Sequence, residues 1–267
     1  MRLSASDVLR NNVREKLRRG EVVSSMAVRL VRGIEIARIA KTAGFDSLYV
    51  DLEHGSLSLE STAQICMAAV SIGIAPFVRV PASSPEWIAR VLDGGALGVI
   101  APHIASVEQA RAVVAAAKFA PIGQRSIAGG LPHLGYRSFP VDETMAAMND
   151  ATLVMLQFED MAAIENADAI MALEGVDMVM VGFSDLSADM GIPGEYGHPR
   201  IREAMVHTVA ACRRHGKYAG VGGLASRPDI VADFVKLGAR YVSTGTDLAF
   251  LLSEASARAL QVAAIAR

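Results

Sequence analysis

Cysteine is scarce in this chain: Cys66 and Cys212 are the only two in 267 residues. They stand far apart in helix-like stretches, and neither has a second Cys or a His at metal-ligand spacing. Buried free thiols are therefore expected, which fits a reducing compartment. Charge of one sign is also lacking. The formal net charge is -2, with 20% charged and 5% aromatic residues, so no basic stripe interleaved with aromatics is available for nucleic acid. No apolar run is read as approaching the ~18–20 residues of a membrane span. The opening MRLSASDVLRNNVREKLRRGE carries charge throughout instead of the apolar stretch of a signal peptide. Linkers, low-complexity tracts and internal repeats are absent too. The expectation is one soluble, cytoplasmic domain over residues 1–267, with neither nucleic acid nor membrane as partner.

What the chain does have is apolar substance, 52% of its residues, and a length near the ~250 residues of a (β/α)8 barrel. After a leading helix at 4–19, eight strand-like runs follow at 21–28, 47–52, 75–80, 97–101, 152–158, 176–182, 217–222 and 240–244. Amphipathic segments such as 33–44, 59–73 and 107–120 separate most neighbours. This alternation predicts an α/β fold with a parallel sheet and right-handed crossovers, and eight units predict closure into a TIM barrel. An open doubly wound sheet is the competing topology. The rhythm breaks between the fourth and fifth strands, where about thirty residues, 121–150, exceed an ordinary connection. They include GQRS (123–126) and GGLPHLGYRS (129–138), and are expected to cover the active site or to form a variable surface excursion. The last segment, 247–266, is apolar along one helical face and would pack on its own barrel or reach a neighbouring subunit.

Four strand-like runs end on polar groups: SLYVDLEHG on Glu53 and His54, APFVRVP on Arg79, LVMLQFED on Gln157 and Glu159, VDMVMVGFSDLS on Asp185. Catalytic residues of a parallel barrel come from such carboxyl ends. Glu159 and Asp185 follow consecutive strands, and two carboxylates without Cys or paired His favour a hard ion such as Mg2+ or Mn2+. Loop acids are otherwise commonly solvated surface charges. Gln157, two residues before Glu159, shares its side of the strand. Arg79 sits among apolar residues, where a guanidinium is costly without an anion to face; its planar fork suits a carboxylate or enolate, or an internal salt bridge. His54, beside Glu53 and three residues after Asp51, is a candidate acid–base group. His103, in APHI, is a weaker one. His133 falls on the expected cover loop, and His198, His207 and His215 read as surface or helix-end residues. GVGGLA (220–225), with Asp247 further on, matches a dinucleotide fingerprint, but at the seventh strand instead of the first.

The chain resembles the HpcH/HpaI aldolases, the metal-dependent (class II) pyruvate aldolases, over nearly its whole length. The likeness rests on FDSLYVDLEHG, the Arg of FVRVP, LDGGALGVIAPHI, GQRS, LQFED, and EGVDMVMVGFSDLSADMG followed by HP. It implies a carbon–carbon lyase that cleaves a 4-hydroxy-2-oxo acid to pyruvate and an aldehyde. It also implies a divalent metal (Mg2+ or Mn2+, with Co2+ serving in vitro) and a homohexamer, a trimer of dimers, whose C-terminal helix is exchanged between subunits. Carried over, Glu159 and Asp185 hold the metal with Gln157 beside it, and Arg79 binds the pyruvate keto oxygen. His54 with Asp51 serves the proton transfers, and the amides of Ser184 and Asp185 hold the carboxylate. Asp93, in LDGGA, reaches a neighbouring subunit's site. Phe183 stands where the family has Pro. No lysine ends any of the four strands, so no Schiff base is expected. The alternatives are an acyl-CoA (citryl- or malyl-CoA-type) lyase, an NAD-dependent oxidoreductase resting on GVGGLA, and a non-catalytic barrel that binds a keto acid.

Overall fold

A computed structural model describes residues 3–265. The eight strands are β1 (Val23–Val28), β2 (Ser47–Asp51), β3 (Ala75–Arg79), β4 (Gly98–Ala101), β5 (Leu153–Phe158), β6 (Met178–Gly182), β7 (Tyr218–Gly222) and β8 (Tyr241–Thr246). They pair in sequence order, all parallel, and β8 closes on β1. Every expected run contains its strand, or misses its end by no more than two residues. β2 to β6 are buried at every position. That is why they read as continuous apolar runs: in a barrel both faces of a parallel sheet are covered.

Two cores result. Outward residues such as Val50, Val78, Leu156 and Val181 pack with the surrounding helices. Inward residues such as Tyr49, Phe77, Met155 and Tyr241 fill the barrel. The helices begin where local chemistry favours it. Ser58 Oγ accepts from Ser61 N ahead of Leu59–Ser71, Ser106 and Gln109 form a capping box ahead of Val107–Ala117, and Pro85, Pro199 and Pro228 occupy first helical turns. The leading helix expected at 4–19 is two helices, Ala5–Val8 and Asn12–Arg18. Asn11 separates them: its side-chain oxygen accepts from Val13 N and Arg14 N and starts a new helix there.

The excursion at 121–150 does not cover the catalytic face of its own chain. It begins after the helix Val107–Ala117 has returned to the amino end of the barrel, and it carries a helix of its own, Val141–Ala151, that leads into β5. Leu131, Leu134 and Met148 pack with Ala5, Leu9 and Leu97, plugging the bottom of the barrel. His133, expected on a cover loop, is buried there with its Nε2 2.9 Å from Ala96 O. The excursion is long because it is a plug.

The final helix, Asp247–Ile265, touches its own barrel only near its start, where Phe250 stacks on Phe45 at 6.2 Å; Leu248, Leu251, Leu252, Leu260 and Val262 are exposed. Contrary to the sequence reading, it is long and apolar enough to cross a membrane. Three of its polar residues form one cluster, Arg258 donating to Glu254 at 2.7 Å and to Gln261 at 3.3 Å.

Candidate active site

Side chains two apart on a strand share a face, and this parity builds the site. On β5 the inward row is Leu153, Met155, Gln157 and then Glu159; on β2 and β3 it ends in Asp51 and Arg79, which are direct pairing partners. Gln157, Glu159, Asp51 and Arg79 are all buried at the carboxyl end of the barrel. Arg79 donates from Nε to Asp51 Oδ1 at 2.9 Å and from one terminal nitrogen to Asp51 Oδ2 at 2.6 Å. Its other terminal nitrogen lies 2.9 Å from Glu53. Arg29, leaving β1, donates from Nε to Asp51 Oδ2 at 2.5 Å. Burial pushes the Asp51 carboxyl upward, but the hydrogen bonds and charge of Arg79, with the charge of Arg29, outweigh it and hold the group below the usual carboxylate range. Burial likewise lowers Arg79, yet Asp51 raises it further.

The expected partnership of His54 with Asp51 is not a side-chain one within the chain. Asp51 is spent on two guanidiniums and on the backbone N–H groups of Glu53 and His54. The His54 ring is half exposed, 3.8 Å from Glu53. Asp51 thus anchors Arg79, and the His54 ring stands apart from it.

Glu159 sits among carboxylates. Burial pushes its pKa upward; the charge of His103 opposes, and the negative charges of Glu53 and Asp185 add to the rise. Gln157 donates from Nε2 to Glu159 Oε1 at 2.5 Å, leaving Gln157 Oε1 buried without a partner among the described residues. Gly182 ends β6 three residues before Asp185. A Cβ there would lie 3.0 Å from Glu159 Oε1 and 3.2 Å from Gln157 Nε2, so any larger residue would have to push both side chains aside. Among the described residues no three or more His, Cys, Asp or Glu side chains form a metal-holding group. Two carboxylates and an orphaned amide oxygen are nonetheless a donor set suited to Mg2+ or Mn2+, which keep waters and substrate oxygens as remaining ligands. The residues fit such an ion.

Ser184 and Asp185 open the short helix Phe183–Asp189. Gly223, at φ +82, would bring a Cβ within 3.1 Å of Ser184 Oγ and 3.6 Å of Ser184 N. The glycines of GVGGLA are therefore accounted for without a nucleotide: Gly220 clears Tyr241, Gly222 clears Met180, and Gly223 lets the β7 loop meet the helix start. Phe183 turns away from the site and stacks on Phe234 at 5.2 Å.

Asp93 lies at the opposite end, closing the helix Pro85–Asp93 and bonded to Arg125 at 2.6 Å. It does not join its own chain's site. Two groups carried more than the sequence reading gave them. Arg29 ends the apolar run of β1 as Arg79 ends that of β3, the same signal, and was passed over. His103, ranked low, lies 2.8 Å from both Glu53 Oε1 and Glu159 Oε2.

Known proteins resemble the chain in sequence and fold. The chain is 43% identical to the 4-hydroxy-4-methyl-2-oxoglutarate aldolase tasA of Hapsidospora irregularis over 80% of each sequence. It is 33% identical to the 2-keto-3-deoxy-L-rhamnonate aldolase of Escherichia coli K12 over 90% of this chain and 88% of that one. The crystal structure of an HpcH/HpaI aldolase from Desulfitobacterium hafniense DCB-2 superimposes with a TM-score of 0.87 at 30% identity, covering 93% of this chain and 95% of the other. The profile of one family matches residues 32–253. The chain belongs to the HpcH/HpaI aldolase/citrate lyase family.

Proposed function

We propose that the protein is a divalent-metal-dependent pyruvate aldolase, reversibly cleaving a 4-hydroxy-2-oxo acid to pyruvate and a carbonyl product. The observation that carries this reading is the buried guanidinium of Arg79, locked by Asp51 on the same rim as the Glu159 corner. Glu159 and Asp185 would hold the cation, with Gln157 beside them. When bound, the ion supplies a Lewis acid toward the oxygens of a 2-oxo acid. Arg79 stabilises the negative charge that builds on the keto oxygen as the C3–C4 bond breaks. The N–H groups of Ser184 and Asp185 orient the carboxylate. His54, half exposed beside Glu53, takes the proton leaving the C4 hydroxyl; one proton delivered to C3 completes pyruvate.

The names of the relatives support a small oxo acid as substrate. A hexamer is supported by the exposed apolar residues of the last helix; Asp93, 42% exposed at the far rim, is open to a neighbouring subunit there. Two buried free thiols, Cys66 and Cys212, both pushed up to about 12 by burial, suit the cytoplasm. The test is pyruvate release from a panel of 4-hydroxy-2-oxo acids. EDTA should abolish it, and Mn2+, Co2+ or Mg2+ restore it. Release indifferent to chelation rejects the metal role.

A further inference from the structure

His103 holds a backbone conformation that non-glycine residues rarely adopt, φ +56. From there it makes three contacts to acids. Its backbone N–H donates to Glu159 Oε2 at 3.0 Å, its Nδ1 lies 2.8 Å from that same oxygen, and its Nε2 lies 2.8 Å from Glu53 Oε1. Its side chain is 65% exposed, while both acid side chains are largely buried, so the ring stands at the solvent edge of the site. A rarely adopted backbone conformation that sets a ring against two largely buried acids marks a place to look for function.

Counting lone pairs shows which function. A carboxylate offers about four acceptor positions, two on each oxygen. The N–H of His103 takes one position on Glu159 Oε2 and its ring stands against the same oxygen at 2.8 Å, while Gln157 Nε2 takes one position on Oε1. Oε1, the oxygen 3.0 Å from where a Cβ on Gly182 would stand, keeps an open position on the side of β6 and Asp185. Glu53, held by Arg79 at 2.9 Å, anchors the far end of the same chain of contacts.

We propose that His103 is the positioning residue of the metal seat: it fixes the rotation of Glu159 so that Oε1 faces the cation, and it ties that acid through Glu53 to Arg79. The inference rests on the metal-dependent reading above. Partners that orient a metal-binding carboxylate typically alter affinity by about 10–100-fold when removed.

The test is Mn2+ affinity, read by electron paramagnetic resonance of the free ion, for the chelator-stripped wild type, His103→Gly and His103→Asn. Glycine accepts φ +56 and keeps the backbone N–H while deleting the ring. Asparagine also tolerates that conformation, but its shorter side chain reaches only one of the two acids. His103→Gly should bind Mn2+ about 10–100-fold more weakly, with an unchanged or higher Tm and a smaller change in kcat at saturating Mn2+; His103→Asn should fall between. Unchanged or tighter Mn2+ binding by either variant overturns the proposal. A wild type that binds no Mn2+ instead overturns the metal-dependent reading, so the two failures are distinct.

Discussion

Replacing Arg79 by lysine keeps the positive charge at the end of β3 and removes the planar fork. The fork makes three contacts, at 2.9 and 2.6 Å to Asp51 and 2.9 Å to Glu53. One ammonium cannot span both acids in that geometry. The simpler variant, Arg79→Ala, is a poor probe. Asp51 is fully buried, and stripping a buried ion pair of one partner costs about 3–5 kcal/mol out of a total stability of roughly 5–15 kcal/mol. Lost activity there would confuse a damaged fold with a damaged mechanism. Arg79→Lys keeps a cation near Asp51, and lost charged hydrogen bonds cost about 1.5–3 kcal/mol. If the fork stabilises the developing oxyanion, kcat should still fall about 10^2-fold or more, ~2.7 kcal/mol in the barrier. The assay is initial-rate pyruvate release at saturating substrate and metal, with thermal unfolding followed in parallel. A lysine variant with near-native kcat would remove the fork from the chemistry.

Two further outcomes are expected. Burial holds His133 neutral and lowers its pKa from 6.5 to about 4. The unfolded chain takes up this proton at higher pH than the folded one, so stability falls as pH drops from about 6.5 to about 4, by roughly 3 kcal/mol at the lower end; urea midpoints across that range should fall less steeply for His133→Gln, and parallel curves would refute the assignment. Asp51 contributes separately: its depressed pKa gives stability above the ordinary carboxylate range that is lost only as pH falls further. Removing residues 248–267 deletes the exposed apolar helix while sparing Asp247, whose carboxylate accepts from the N–H groups of Arg29 and Val31 at 2.9 and 2.8 Å; sedimentation should show a smaller assembly, and an unchanged oligomer would count against subunit exchange.

The amino-acid sequence by itself determined the eight strands, their order and the polar residues at their ends. These are local signals: doubly buried strands must be continuously apolar, and period-two geometry puts Gln157 and Glu159 on one side wherever β5 lies. The location of the 121–150 segment was open to counting as well, since a segment that follows a helix starts from the amino face. Its length drew attention away from its direction. Only the tertiary structure decided who touches whom across the ring. Asp51 meets Arg79 and Arg29 instead of the His54 ring, and His103 bridges Glu53 and Glu159, acids 106 positions apart in sequence. Such contacts depend on barrel closure and on a left-handed backbone at His103. Neither leaves a periodic trace in the chain, because which strands lie side by side and how one loop residue turns are settled only when the ring forms.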